Sequence, residues 1–317
     1  MRQLQIKKTK LFSILLAVFF LLGVAVWYFF LRVTPRFEES VKVNVDKDIQ
    51  IEQLENGRVV AITSNTPYYP YFMVGKKNFY LTEWRRNNTN RLPRDDQQKD
   101  GEYYYLHCYD LNSKKEEKKL DLYEIIRKYD SKLGIDLSVS IKIVFYRGAD
   151  YLYIGLSKEN KGAPVHYKDV LVNTDTEEVI DCPKDILNQQ REFDLAISAT
   201  GLSKRVWDTY NVDISDAILE VSVTKNMKIH ENLNIYQTYP KLVQKLNQGK
   251  TRLFVRQDEN SQEEWFNILM RWFAPTGEEK LSLTITDETT GEVTSINSYQ
   301  DFLVWQELHS KKEENKE

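Results

Sequence analysis

Histidine, cysteine and glycine, the residues that most often build reaction centres, are scarce in this chain. Its four histidines are His107, His166, His230 and His309, and no two of them stand at the i, i+4 or short-loop spacing that brings ligands to one metal ion. HExxH, CxxC and GxSxG are absent, and with 12 glycines in 317 residues there is little backbone for cradling phosphate. No cofactor, metal or catalytic residue is expected, and the chain reads as a non-enzyme.

Two cysteines, Cys108 and Cys182, are too few for a disulfide scaffold. A bond between them would close a long loop, worth roughly 4 kcal/mol. Cys108 also alternates with apolar neighbours in "YYYLHCYDL", which fits two separate buried thiols. The pair His107-Cys108 makes no nucleophile and base, because consecutive strand residues point to opposite faces.

Long apolar runs occur once. "LFSILLAVFFLLGVAVWYFFL", from Leu11 to Leu31, holds no charge and would span roughly 31 Å as a helix, close to the thickness of a bilayer's hydrocarbon core. Trp27 and Tyr28 suit an interfacial belt, and Arg2, Lys7, Lys8 and Lys10 precede the run. The expectation is a single-pass anchor at a cell membrane, contacting the bilayer through residues 11–31, with the N-terminus cytoplasmic and the remainder extracytoplasmic. The bulky "VWYFFLRV" makes a poor cleavage site, so the anchor is read as uncleaved.

Basic charge is also short beyond that run. Six of the 44 Lys and Arg, and none of the 47 Asp and Glu, lie in residues 1–36, leaving a balance of −9 over residues 37–317. Nucleic acid is therefore excluded as the principal ligand, and a basic or neutral protein partner outside the membrane is favoured.

What the chain does have is period-two alternation. The expected fold is α+β: a transmembrane helix, a β-rich antiparallel region at 41–190, and a mixed helix and strand half at 191–309 that could form one body with it. A cytoplasmic tail at 1–10, a stalk at 32–40 and a polar tail at 310–317 complete the organisation. Strands are expected at 41–54, 58–64, 70–84, 102–111, 137–146, 150–157 and 166–173. "LDLYEIIRKY" places Leu122, Ile125, Ile126 and Tyr129 on one helical face, with Asp121 as N-cap and Glu124 three residues on. In the second half helices are expected after Asp181, after Ser203, over 239–248 before Gly249, from Ser261 and from Ser298, with a hairpin about Thr290-Gly291.

The densest aromatic stretch is "TPYYPYFMVGKKNFYLTEWRR". With Gly75 to Asn78 as a hairpin loop, Val74 faces Phe79, Met73 faces Tyr80 and Phe72 faces Leu81. Phe72, Val74, Phe79 and Leu81 then form a core face. Tyr69, Tyr71, Met73, Tyr80, Thr82 and Trp84 form the other, covered either by this chain or by a partner. Tyr69, Tyr71, Tyr80, Trp84, Arg85 and Arg86 are the candidate partner-binding residues, since Tyr, Trp and Arg dominate interface hot spots.

Three function classes fit: a membrane-tethered extracytoplasmic protein-binding protein, an accessory subunit of a membrane or cell-envelope assembly, and a cell-envelope hydrolase with a carboxylate pair from separate places. The segments "LSVSIKIVFYRGADYLYIGLSKE", "VLVNTDTEEVID" and "GLSKRVWDTYNVDISDAILEVSVTK" resemble the membrane-anchored immunity proteins that protect Gram-positive bacteria against type VII secreted toxins. The resemblance covers residues 137–225, carries over no functional residue, and implies neutralisation of a secreted toxin as the form the binding takes.

Overall fold

The computed structural model describes residues 16, 18–24, 37–65, 72–87, 98, 101–137, 139, 141–160, 163–184, 186–187, 212–213, 220–221, 228–256, 258, 261–286, 291 and 293–314. Residue 16 and residues 18–24 are helical. Among the described residues no helix is long and apolar enough to cross a membrane. The single-pass membrane placement and the fold class built on it give way, over the described residues, to a mostly β chain with helices. Leu11, Trp27, Tyr28 and Leu31 lie outside the described residues.

In chain order the elements are β1 (Phe37–Glu39), α1 (Val45–Asp48), β2 (Ile49–Leu54), β3 (Val59–Ser64), β4 (Phe72–Val74), β5 (Asn78–Asn87), β6 (Tyr103–Asp110), β7 (Glu116–Asp121), α2 (Leu122–Tyr129), β8 (Leu133–Ile135), β9 (Lys142–Tyr146), β10 (Ala149–Asn160), β11 (Ala163–Asn173) and β12 (Val179–Asp181). Then come β13 (Val212–Asp213), β14 (Glu220–Val221), α3 (Asn234–Thr238), α4 (Pro240–Asn247), β15 (Thr251–Val255), α5 (Ser261–Trp272), β16 (Leu283–Thr286), β17 (Val293–Ile296) and α6 (Tyr299–Glu314). The strand expected over 41–54 starts late, because Asn44 caps α1: its side chain accepts from the backbone N–H of Asp46 and Lys47. The helix expected after Ser203 lies outside the described residues.

Three antiparallel sheets stack through their side chains. A middle sheet runs β1-β5-β6-β7, with β4 also on β5; an outer sheet runs β12-β11-β10, with β8 and β9 both on β10; a helix-covered sheet runs β13-β14-β15-β3-β2. Strand alternation lets each of these three sheets contribute both faces to buried cores, and β16 pairs with β17 in a separate two-stranded sheet. In the helix-covered sheet Val59, Ala61, Leu253 and Val255 pack with Leu242, Val243 and Leu246 of α4, Phe266 and Trp272 of α5, and Phe302 of α6. Val60, Ile62 and Phe254, on its other side, meet Phe72, Val74, Phe79 and Leu81 of the middle sheet. The middle sheet's second face, with Met73, Tyr80, Leu106 and Cys108, joins α2 and the outer sheet's Ile143, Leu152, Ile154 and Val170. Behind the outer sheet, Val144, Tyr151, Tyr153 and Leu171 pack with Cys182 and Ile186.

The cysteines are free and buried on opposite sides of the outer sheet's core, and burial pushes the Cys108 thiol up to about 12. The β3–β15 pairing, from Thr251 opposite Thr63 to Val255 opposite Val59, joins the two stretches that the sequence reading placed on either side of residue 190.

Candidate functional site

The register of the aromatic hairpin is the expected one, with Phe72 opposite Leu81, Met73 opposite Tyr80 and Val74 opposite Phe79. Phe72, Val74, Phe79 and Leu81 are core. The other face is covered by this same chain at Tyr80, which is 1% exposed between the middle and outer sheets. Its hydroxyl donates to Asp150 Oδ2 at 2.8 Å and lies 3.2 Å from Thr174 Oγ1. Asp150 also accepts from the Lys76 N–H at 3.0 Å on each carboxylate oxygen. Burial raises the pKa of both groups: Tyr80 stays a phenol and the Asp150 carboxyl moves above its ordinary 3.8. Tyr80 is therefore an internal tie and offers a partner nothing.

The remaining candidates divide between faces. Trp84 lies opposite Tyr104 on the Tyr80 side, half-buried, with the Arg86 guanidinium 4.6 Å over its ring. Arg85 points the other way, pairs with Glu39 at 3.0 Å and stacks on Phe37 at 3.9 Å. Tyr69 and Tyr71 lie outside the described residues.

A surface forms instead on the Arg85 side, where the middle sheet continues past its contact with the helix-covered sheet. Tyr103, Tyr105, His107 and Tyr109 of β6 follow one another at every second residue, all half-buried. The rings of Tyr103 and Tyr105 stack at 4.9 Å, and Tyr109 stacks on Phe79 at 4.9 Å. Lys119, opposite His107 on β7, holds its ammonium 3.7 Å over Tyr105. His107 is gripped on both ring nitrogens, Nε2 by Glu83 at 3.0 Å and Nδ1 by Glu116 at 2.8 Å. Glu83 further accepts from the Tyr103 hydroxyl at 3.4 Å and pairs with Lys42 at 3.6 Å. Burial, then the Glu116 charge, pushes the Tyr109 phenol up to about 12.

The carboxylates and His107 bind one another from opposite sides and do not converge on a point. Among the described residues no group of three or more His, Cys, Asp or Glu side chains could hold a metal ion. What the ladder can do is present aromatic area with charges already fixed in place, a surface suited to contact more than to chemistry. Its signal was in the sequence: "YYYLHCYD" carries Tyr, Tyr, His and Tyr at period two, overshadowed by the denser stretch upstream. The charged partners Glu83, Glu116 and Lys119 had no local signal, because strand pairing alone brings them together.

Comparison with protein-family models, with curated proteins and with solved structures finds no match to this chain.

Proposed function

We propose that this chain is a protein-binding protein whose recognition surface is the β6 ladder, Tyr103, Tyr105 and His107 with Arg85 and Lys119 at its sides. One observation carries the reading: the ladder is the continuation of a core face, half-buried in place of the full burial of Phe79 and Leu81, and its polar groups are held in fixed contacts. Preordered aromatic side chains lose little entropy on contact, which is why such residues concentrate binding energy. The resemblance over residues 137–225 gives the reading its specific form, neutralisation of a secreted toxin.

The test is affinity capture with the full chain against its Tyr103→Ala, Tyr105→Ala double variant. A partner captured by the first should bind the second at least about tenfold more weakly, equivalent to about 1.4 kcal/mol, with melting of the free protein little changed. Equal capture by a folded double variant would remove the ladder from consideration. The toxin form requires in addition that the purified chain blocks the toxicity of the protein it captures.

A further inference from the structure

We infer that β2 is an acceptor edge for an extended strand of a partner protein. The inference rests on the reading of this chain as a protein binder and adds a second surface, on a different sheet from the ladder. Among the described residues β2 ends the helix-covered sheet and pairs only with β3, over all six residues and without a bulge. The direction of its backbone groups follows from neighbouring bonds. The Asn65 N–H donates to the Asp48 carbonyl at 2.9 Å, so Asp48 and Asn65 form a hydrogen-bonded pair. In an antiparallel ladder such pairs alternate, so Gln50, Glu52 and Leu54 bond to β3. The N–H and C=O of Ile51 and Gln53 therefore point away from the sheet, without a partner among the described residues.

Folded proteins blunt such edges with brevity, bulges, lysine or cover. Several other edges follow that rule: β1, β4, β8 and β12 have three residues each, β9 lies against β4, and β7 is bulged near Glu117 with Lys118 and Lys119 on it, while β16 and β17 form a four-residue hairpin of their own. β2, "IQIEQL", is six residues long with no bulge and no lysine, and the side chains that reach it at its two glutamines are Asn112, which accepts from Gln53 Nε2 at 2.8 Å, and Lys245 of α4, 3.3 Å from Gln50 Oε1. A docked strand would set an apolar side chain beside half-buried Ile51 and a basic one beside exposed Glu52, the edge's single charge, on a chain whose residues 37–317 carry −9. An alternating apolar and basic segment is the occupant this chemistry selects.

The probe is a blocked decapeptide alternating Val and Lys, compared with the same peptide N-methylated on alternate amides. The full chain with the first peptide should show amide exchange at Ile51 and Gln53 slowed by about tenfold or more, and with the second no change. Gln53→Pro, which removes an outward N–H and, with the side chain, the bond to Asn112, should abolish the effect and spare the β2–β3 pairs, whereas Gln53→Ala should keep the effect and Glu52→Pro should break the pairs. Equal slowing by both peptides, or none, overturns the inference, and so does full retention in Gln53→Pro. Should Gln53→Pro fail to fold, the two peptides on the unaltered chain decide. Slowing in the protein alone together with a dimer assigns the edge to a second copy and overturns the partner class. The Tyr103→Ala, Tyr105→Ala variant keeps its β2 edge, so failure of the ladder and failure of the edge are separate results.

Discussion

At the scale of single residues the tie between Tyr80 and Asp150 is the most exacting feature. Asp150 is buried, and the groups facing it are Tyr80, Thr174, the Lys76 N–H, and the charges of Asp175 and Arg256. Its folded pKa lies above its ordinary 3.8, so between those two values the native state holds the extra proton. Stability from this group therefore increases as pH falls through the folded value and levels off below 3.8. Asp181 and Asp110, whose pKa values are lowered by Lys168 and by Ser113 respectively, lose stability only below that range. From pH 7 down to 4 the urea midpoint of the native chain should rise relative to that of Asp150→Asn, a difference that cancels the opposite trend from Glu124, whose pKa Lys128 lowers from 4.5. Tyr80→Phe removes the phenolic donor and should cost about 1–3 kcal/mol at neutral pH, read from the same titrations. Gly75→Ala should be worse than the loss of its flexibility, since an added Cβ would stand 2.2 Å from Asp150 Oδ2. None of this was legible in sequence: Tyr80 and Asp150 are 70 residues apart and meet only because two sheets stack.

Among the elements, those whose ends are set by their own residues were the readable ones. α2 begins where Asp121 was expected to cap it, with the Asp121 side chain accepting from the Glu124 N–H at 3.1 Å. Its buried face is Leu122, Tyr123, Ile125 and Ile126. Asp121→Ala should lower stability by about 1 kcal/mol, seen as a shifted denaturation midpoint with an unchanged slope. α4 stops before Gly249, whose φ of 67° and N–H bond to the Leu246 carbonyl close the last turn. α6 has Ser298 accepting from the Asp301 N–H at 3.1 Å. The β9–β10 hairpin turns on Arg147 and Gly148, both with positive φ, as a two-residue loop of this twist requires. The failures came where alternation was read past a cap. "VKVNVDKD" has a strand's period but contains Asn44, and the local bonds of that side chain overrode the period to give α1.

For the whole molecule, sequence order is a poor guide to which segments share a core. A change of texture near residue 190 marks where helices become frequent, yet β3 lies in the sheet completed by β15, and Thr63 and Thr251, 188 residues apart, put their buried hydroxyls 2.7 Å from each other. Alternating hydrophobics announce strands but carry no address for the partner, and register between distant strands is decided by which faces remain to be covered. Here β3 and β15 cover two cores at once: Val59, Ala61, Leu253 and Val255 look to the helices, while Val60, Ile62 and Phe254 look to the middle sheet. Phe254→Ala should therefore cost about 3–5 kcal/mol, as expected for a large ring removed from a closed core. Its effect should extend to the middle sheet, with faster amide exchange in β4 and β5 as well as in β3. The same coupling predicts what a chain ending at residue 211 would do. Without β15 and α3–α6, β3 becomes an edge with Val59 and Ala61 bare on one side, so its amides, and those of β2, should lose exchange protection. The middle and outer sheets keep the core formed by Met73, Tyr80, Leu106, Leu152 and Val170, and β6 and β10 should stay protected. Retained protection at Ala61 and Ile62 in the shortened chain would mean that β2 and β3 are held by the middle sheet alone, and that the β3–β15 pairing is dispensable to the first half of the fold.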